Sequence, residues 1–260
     1  MDNPVIYEKF DWESFRREQL DEKIGKVMEH IPEDVRTILD IGCGNGLITN
    51  ILGEKYEVTG VDRSEAALAY VNTKKIRANA DHIPLPDRNF DLVFSSELLE
   101  HLDEETFMGT LGELKRLTRK YLFLTVPNRE NPDKLLIKCS SCGYIYNRPN
   151  HLRSFSAKYL ASLFPDFELV DSFVSGKKVR YYHPALLFLK RKFTPSISWI
   201  PYYWIPENKR KSICPRCEHD FEYKYKFNPM STTLDLLNAV ISPKRPYWLF
   251  MVMKRKNEDL

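Results

Sequence analysis

The sequence predicts an α/β fold, a parallel sheet covered by helices on both faces. Three observations carry this expectation. Short apolar, β-branched runs alternate with helix-like segments across residues 38–126. The runs are apolar enough for strands buried on both sides. A glycine-rich turn follows the first run, where strand passes to helix.

The elements follow in chain order. Residues 5–31 are charged with periodic apolar positions, predicting one or two amphipathic helices. Ile38-Leu39-Asp40-Ile41 is the first strand, entering Gly42-Cys43-Gly44-Asn45-Gly46 and a helix to about residue 52. A second strand over 58–61 ends at Asp62, and Ser64 is placed to cap a helix over 65–71. A weak third strand covers 76–80 and a fourth 90–95, followed by a helix over 97–117. A fifth strand over 121–126 stops at Pro127-Asn128. There the rhythm breaks. A loop with Cys139 and Cys142, a helix over 156–164, a strand over 167–173, a basic aromatic insertion over 177–245 and a strand over 247–253 complete the chain, without internal repeats.

Composition narrows the class. With 260 residues, 43% hydrophobic and 29% charged, the chain is neither disordered nor fibrous, and 10 Gly with 16 Pro exclude a collagen-like repeat. Met1-Asp2-Asn3-Pro4 opens no secretory signal, and no apolar run of about 18 residues exists, so a cytoplasmic chain without a transmembrane segment is expected. The net charge of +3 hides a division. Residues 1–130 carry 17 Lys/Arg against 25 Asp/Glu, whereas residues 131–260 carry 22 against 11.

The glycine turn implies a ligand lying against backbone N–H groups. Its spacing is G-x-G-x-G rather than the dinucleotide G-x-G-x-x-G, and Asp40 precedes it, repelling phosphate and attracting an ammonium. Asp62, 16 residues after Gly46, is placed to accept both hydroxyls of a ribose. A ligand with a ribose, an amino-acid end and no phosphate fits, which is S-adenosylmethionine; the alternative is a turn that serves packing only.

Ile38–Gly46, Val61-Asp62 and Ala80–Leu92 resemble the class I S-adenosylmethionine-dependent methyltransferases, over roughly 35–128, 151–175 and the last strand. The resemblance implies a Rossmann-like, doubly wound sheet of seven strands with one antiparallel strand, here 247–253. It places Gly42 and Gly44 under the methionine part, Asp62 on the ribose, and Asn79 and Ala80 around the adenine. Asn79 stands where the family often has Asp. Ser95 would offer backbone to the methionine end. Tyr7 is read either as a residue closing over the cofactor or as structural. The expected organisation is a helical cap (1–34), a cofactor core (35–130), a first knuckle loop (131–150), a core continuation (151–176), the insertion (177–245), and a last strand with tail (246–260).

Ser96-Glu97-Leu98-Leu99-Glu100-His101 follows the fourth strand. On a helix, Glu97, Glu100 and His101 share a face and converge, a clustering that a divalent cation relieves. His151 follows the fifth strand, on the same sheet edge, and is a fourth candidate. The Glu-x-x-Glu-His pattern resembles metal-dependent O-methyltransferases: the ubiquinone-pathway enzymes acting on catechols, and the small-RNA 3′-terminal 2′-O-methyltransferases, which add a later His. That resemblance implies Mg²⁺ or Mn²⁺ chelated by neighbouring substrate oxygens, hence a vicinal diol. Alternatively, the two acids favour a helix N-terminus and His101 is a pocket residue or a metal-free general base.

Cys139-x-x-Cys142 and Cys214-x-x-Cys217 predict one structural Zn²⁺ site, since disulfides are improbable without secretion; Cys43 is filler in the glycine turn. By topology, zinc would pin residues 130–150 to the insertion as a lid beside the methyl group. Lys177, Lys178, Arg180, Lys190–Lys192 and Lys209–Lys211 interleave with Tyr181, Tyr182, Trp199, Tyr202, Tyr203 and Trp204. This pattern suits a nucleic acid, a sugar, or an anionic lipid-linked saccharide at a membrane surface; the bland reading is a solvated basic rim. The expected activity is methyl transfer to a hydroxyl of a small, anionic or sugar-like acceptor. RNA 3′-end methylation is the alternative enzyme, and a non-catalytic cofactor-fold module the alternative of another class.

Overall fold

A computed structural model describes residues 3–14, 20–193, 210–222 and 228–256. Trp199, Tyr202, Tyr203, Trp204 and Lys209 of the insertion lie outside the described residues.

The core is a seven-stranded sheet: β1 (Thr37–Ile41), β2 (Glu57–Asp62), β3 (Lys74–Arg77), β4 (Phe90–Ser96), β5 (Thr118–Pro127), β8 (Phe167–Arg180) and β11 (Lys244–Arg255), in the order β3-β2-β1-β4-β5-β11-β8. The pairs among β1–β5 are parallel, and β11 runs antiparallel to both β5 and β8. Alternation splits each central strand between two cores. Val93, Leu122, Leu124 and Met251 face α5 (Glu104–Leu117) and α6 (Ala157–Ser162), contacting Phe107, Leu111 and Leu160. Leu92, Phe94, Phe123 and Phe250 face the other way, onto Val27 of α2 (Asp21–His30) and Leu52 of α3 (Leu47–Leu52). The doubly wound, seven-stranded expectation with one antiparallel strand holds.

Short α1 (Pro4–Glu8) precedes α2, and α4 (Glu65–Leu68) is capped by Ser64 through the Ala67 N–H, as its sequence anticipates. The helix expected from residue 97 begins instead at Glu104. Glu97 N–H stays bonded to the Thr125 carbonyl at 2.9 Å, prolonging the β4–β5 ladder, and Glu97 sits at φ +53°. Asp103 then supplies a stronger start, accepting from Thr106 N–H with Glu104 and Glu105 in the first turn. The residues between form a turn pinned by buried Leu99 and Leu102.

The second half adds two hairpins, β6 (Leu136–Lys138) with β7 (Ile145–Asn147) and β9 (Lys211–Ile213) with β10 (Asp220–Glu222). Between β8 and β11 come α7 (Pro184–Phe193) and α8 (Pro229–Ile241). The carboxyl ends of β1, β2, β4 and β5 share one edge of the sheet, and the candidate site is built there.

Candidate active site at the carboxyl edge of the sheet

Gly42, Gly44 and Gly46 all take positive φ, at 77°, 53° and 74°, a region a Cβ disfavours. A Cβ on Gly44 would meet the Trp12 ring at 3.1 Å, so the N-terminal segment closes tightly over the turn. Asp62 anchors it: one carboxylate oxygen accepts from Gly44 N–H and the other from Ser64 N–H, both at 2.9 Å. Burial nevertheless raises its pKa. A cleft of about 470 Å³ opens alongside, lined by Pro4, Val5, Glu8, Lys9, Arg63, Arg77, Ala78 and Asn79. Asn79 and Ala78 line the cleft, whereas Ala80, expected beside Asn79 around the adenine, does not; Ala78 and Ala80 both pack against the larger core cluster. Asp40 also departs from expectation. It is buried beneath the turn, accepts from Thr49 Oγ1 at 2.6 Å rather than facing an ammonium, and burial pushes its pKa up to about 7. Ser95 is buried and donates to the Ile41 carbonyl.

Tyr7 lies between this cleft and the next group of residues, its ring under the Arg63 guanidinium at 4.5 Å and edge-on to His101 at 6.3 Å. Its neighbour Glu8 accepts from the Glu65 and Ala66 N–H groups and from Ser64, fastening α1 to the start of α4. Sequence reading gave Glu8 no role.

Beyond Tyr7, Glu100, His101 and His151 bring one ligand atom each within 4.8 Å of one another. Of the Glu97, Glu100 and His101 expected on one helix face, Glu100 and His101 meet without that helix, and the fourth candidate, His151, joins them. Glu100 is fully buried, and among the described residues neither carboxylate oxygen has a hydrogen-bond partner, nor does His101 Nδ1. Burial first, then the neighbouring Glu97 and Glu130, raise the Glu100 pKa well above the ordinary range. Burial and the adjacent His151 lower that of His101 to about 3. His151 follows the turn at Asn150 (φ 60°) rather than opening a helix, and its Nδ1 makes a short hydrogen bond with Glu130. That bond turns Nε2 into the acceptor-capable nitrogen. Glu97 does not join the cluster; it pairs with buried Lys23 at 3.1 Å, which also donates to Ser96 and Thr125 hydroxyls. Glu130 and Lys23 escaped sequence reading. The signal for Glu130 was its place just past the end of β5, on the same edge as the candidates.

Residues 39–123 match the family described as "Methyltransferase domain". The chain is 30% identical over 148 residues to a Mycobacterium tuberculosis protein named a probable S-adenosylmethionine-dependent methyltransferase, covering 54% of this chain and 51% of that one. It is 30% identical over 124 residues to a ubiquinone biosynthesis O-methyltransferase of Pseudomonas paraeruginosa, covering 42% and 52%. An S-adenosylmethionine-dependent methyltransferase structure from Archaeoglobus fulgidus superposes with TM-score 0.55 at 18% identity, covering 92% and 95%, and so shares the fold. Residues 39–123 are thus similar to methyltransferase domains in sequence, and the fold around them is shared with such enzymes. The chain spans about half the length of the curated relatives it matches.

Beside this region stands a second cluster, Cys139, Cys142, Cys214 and Cys217. Sγ separations of 3.7 Å join Cys139 to Cys217 and Cys142 to Cys214. The two turns are alike. Gly143 N–H bonds Cys139 O and Glu218 N–H bonds Cys214 O, with φ values of +72° and +58°. Ile137, Tyr146 and Phe221 form a small core around them. The β7 strand of this unit runs on to His151, and Asn3, which caps α1, donates to Pro215 O and Glu218.

Proposed function

We propose that the protein transfers a methyl group from S-adenosylmethionine to a hydroxyl oxygen of a small, polar acceptor carrying neighbouring hydroxyls. The observation that carries this reading is the Glu100–His101–His151 cluster on the cofactor edge, with an unpartnered buried carboxylate at its centre. The glycine turn, Asp62 and the Asn79 cleft fit the cofactor: a close backbone approach, a carboxylate for ribose hydroxyls, and room for a base. When bound, S-adenosylmethionine supplies an electrophilic methyl on sulfur. The chain must then hold an acceptor oxygen in line and remove its proton.

His151 is suited to that second task. Glu130 holds Nδ1, leaving Nε2 to face the acceptor. With a divalent cation on Glu100, His101 and His151, the same Nε2 would be a ligand in place of a base, and two imidazoles favour Mn²⁺ over Mg²⁺. Such an ion would lower the pKa of a chelated hydroxyl. Glu97 stays with Lys23 and serves as an outlying acid. A structural Zn²⁺ on the four cysteines belongs to the same reading, because zinc–sulfur bonds of about 2.3 Å put tetrahedral sulfurs about 3.8 Å apart. The observed 3.7 Å agrees. The excess of basic residues after position 130 suits an anionic acceptor.

Calorimetry tests the cofactor step. Tight S-adenosylmethionine binding by the wild-type protein is expected, weakened about tenfold or more by Asp62→Ala through loss of ribose and loop bonds. Absence of binding defeats the enzyme reading in favour of a non-catalytic module. Turnover on catechol-like and sugar acceptors with Mn²⁺, lost on chelation, tests the acceptor class. Steeply salt-dependent binding of RNA 3′ ends would move the acceptor to nucleic acid.

A further inference from the structure

The helix pair between β8 and β11 is built inside out. In α8 the buried side chains are Ser231 and Asn238, and in α7 they are Leu187 and Lys190. Polar groups hold the pair together. Lys190 and the Tyr182 hydroxyl both donate to Asp235, while Asn238 bonds the Tyr181 carbonyl and the His183 N–H. Apart from Leu187 and half-buried Leu186 and Leu234, the large apolar side chains point outward: Phe188, Phe193, Leu236, Leu237, Val240 and Ile241 are all exposed, Val240 at 84% and Leu236 at 65%. A helix in water normally does the reverse. On α8, Leu236, Leu237, Val240 and Ile241 fall on one side by helical spacing, and such a face meets something other than water.

The charges identify what. Residues 177–193 contain six Lys or Arg and no acid, and residues 228–245 contain one acid, Asp235, against Lys244 and Arg245. Asp235 is matched by buried Lys190 and Arg191 by Asp133, which leaves Lys177, Lys178, Lys192 and Lys244 as the exposed charges of these segments, all of them cationic. A second copy of the chain would press two cationic faces together. We infer that α7 and α8 dock the protein on an anionic phospholipid bilayer, apolar side chains entering the interface and the basic residues meeting headgroups. With 10 and 13 residues the helices lie on the bilayer; no helix of the described chain is long and apolar enough to cross it.

The patch is tied to the catalytic edge. Arg191 pairs with Asp133 at 2.6 Å and Lys134 donates to the Arg180 carbonyl, both within the turn that follows Glu130. Docking therefore brings the pocket close to the bilayer surface.

Co-sedimentation of the full chain with vesicles tests this, and it stands apart from catalysis because it needs no acceptor. Wild-type protein is expected to pellet with phosphatidylcholine vesicles containing one-third phosphatidylglycerol, at least about tenfold more strongly than with phosphatidylcholine alone. Leu236→Asp/Val240→Asp should lose about tenfold or more of that binding while keeping its circular dichroism, melting temperature and S-adenosylmethionine affinity. Lys177→Glu/Lys178→Glu should lose the preference for anionic vesicles. Wild-type protein left in the supernatant overturns the inference. So does light scattering that shows a wild-type dimer dissolved by the double Asp variant, or poly-glutamate bound as tightly as the vesicles.

Discussion

Replacing Glu100 by Gln should stabilise the protein while disabling it. The Glu100 carboxyl is fully buried, and both oxygens are without hydrogen bonds. Its pKa in the folded chain is raised above the ordinary 4.5, chiefly by burial. Above pH 4.5 the unfolded chain has released this proton and the folded chain retains it, so folding must take one up. The sign is therefore fixed: stability is fully present below pH 4.5 and is lost as pH rises toward the folded pKa, at about 1.4 kcal/mol per pH unit. Gln carries no proton to exchange. Urea unfolding at pH 5, 6 and 7 should show the variant pulling ahead of wild type with that slope, until the folded pKa is passed. Mn²⁺ should raise wild-type stability more at pH 7 than at pH 5, because binding replaces the proton, and leave the variant unmoved. Parallel stability curves for the two proteins, or a variant less stable at pH 7, would refute the argument that this carboxyl is an unpaired burden carried for function.

Three further outcomes follow from the same geometry. Glu130→Gln removes the carboxylate that orients His151, and kcat is expected to drop about 10–100-fold with KM little changed and a displaced pH profile; a merely structural role would lower the melting temperature and leave the profile in place. One zinc per chain is expected by elemental analysis, and stripping it should speed amide exchange in 136–147 and 211–222 while β1, β4 and β5 stay protected; equal protection without zinc would contradict the structural role. Asp91 resists burial through bonds from Arg119 and the Arg36 and Thr37 N–H groups, which hold its pKa down at about 2. Asp91→Asn should therefore cost about 2 kcal/mol at neutral pH, a difference that disappears as pH falls from about 4 to about 2, read by urea unfolding.

The parts of the site that were legible in the sequence are those fixed by neighbours in the chain. Gly42, Gly44 and Gly46 sit where a strand must turn with positive φ, and Ser64 caps the helix directly after Asp62. The meeting of Glu100, His101 and His151 was legible for a topological reason, because loops leaving adjacent parallel strands share an edge. The local reason offered for it, a helix face, did not hold, since Asp103 outcompetes Glu97 as a helix start. What stayed hidden depends on register across long separations. Lys23 read as the polar side of an amphipathic helix, yet it is buried because β4 and β5 set Ser96 opposite Thr125, leaving two hydroxyls and Glu97 around one cation. Glu130 is likewise meaningful only once His151, 21 residues later, is folded back against it. The same limit explains α7 and α8. Composition marked that stretch as basic and aromatic, but which side of each helix faces the protein is decided by Asp235 and Asn238 binding Lys190 and the Tyr181–His183 backbone. Because those polar contacts claim most of the inner face, the exposed apolar residues are left on the outer one, a patterning that the basic and aromatic composition did not reveal.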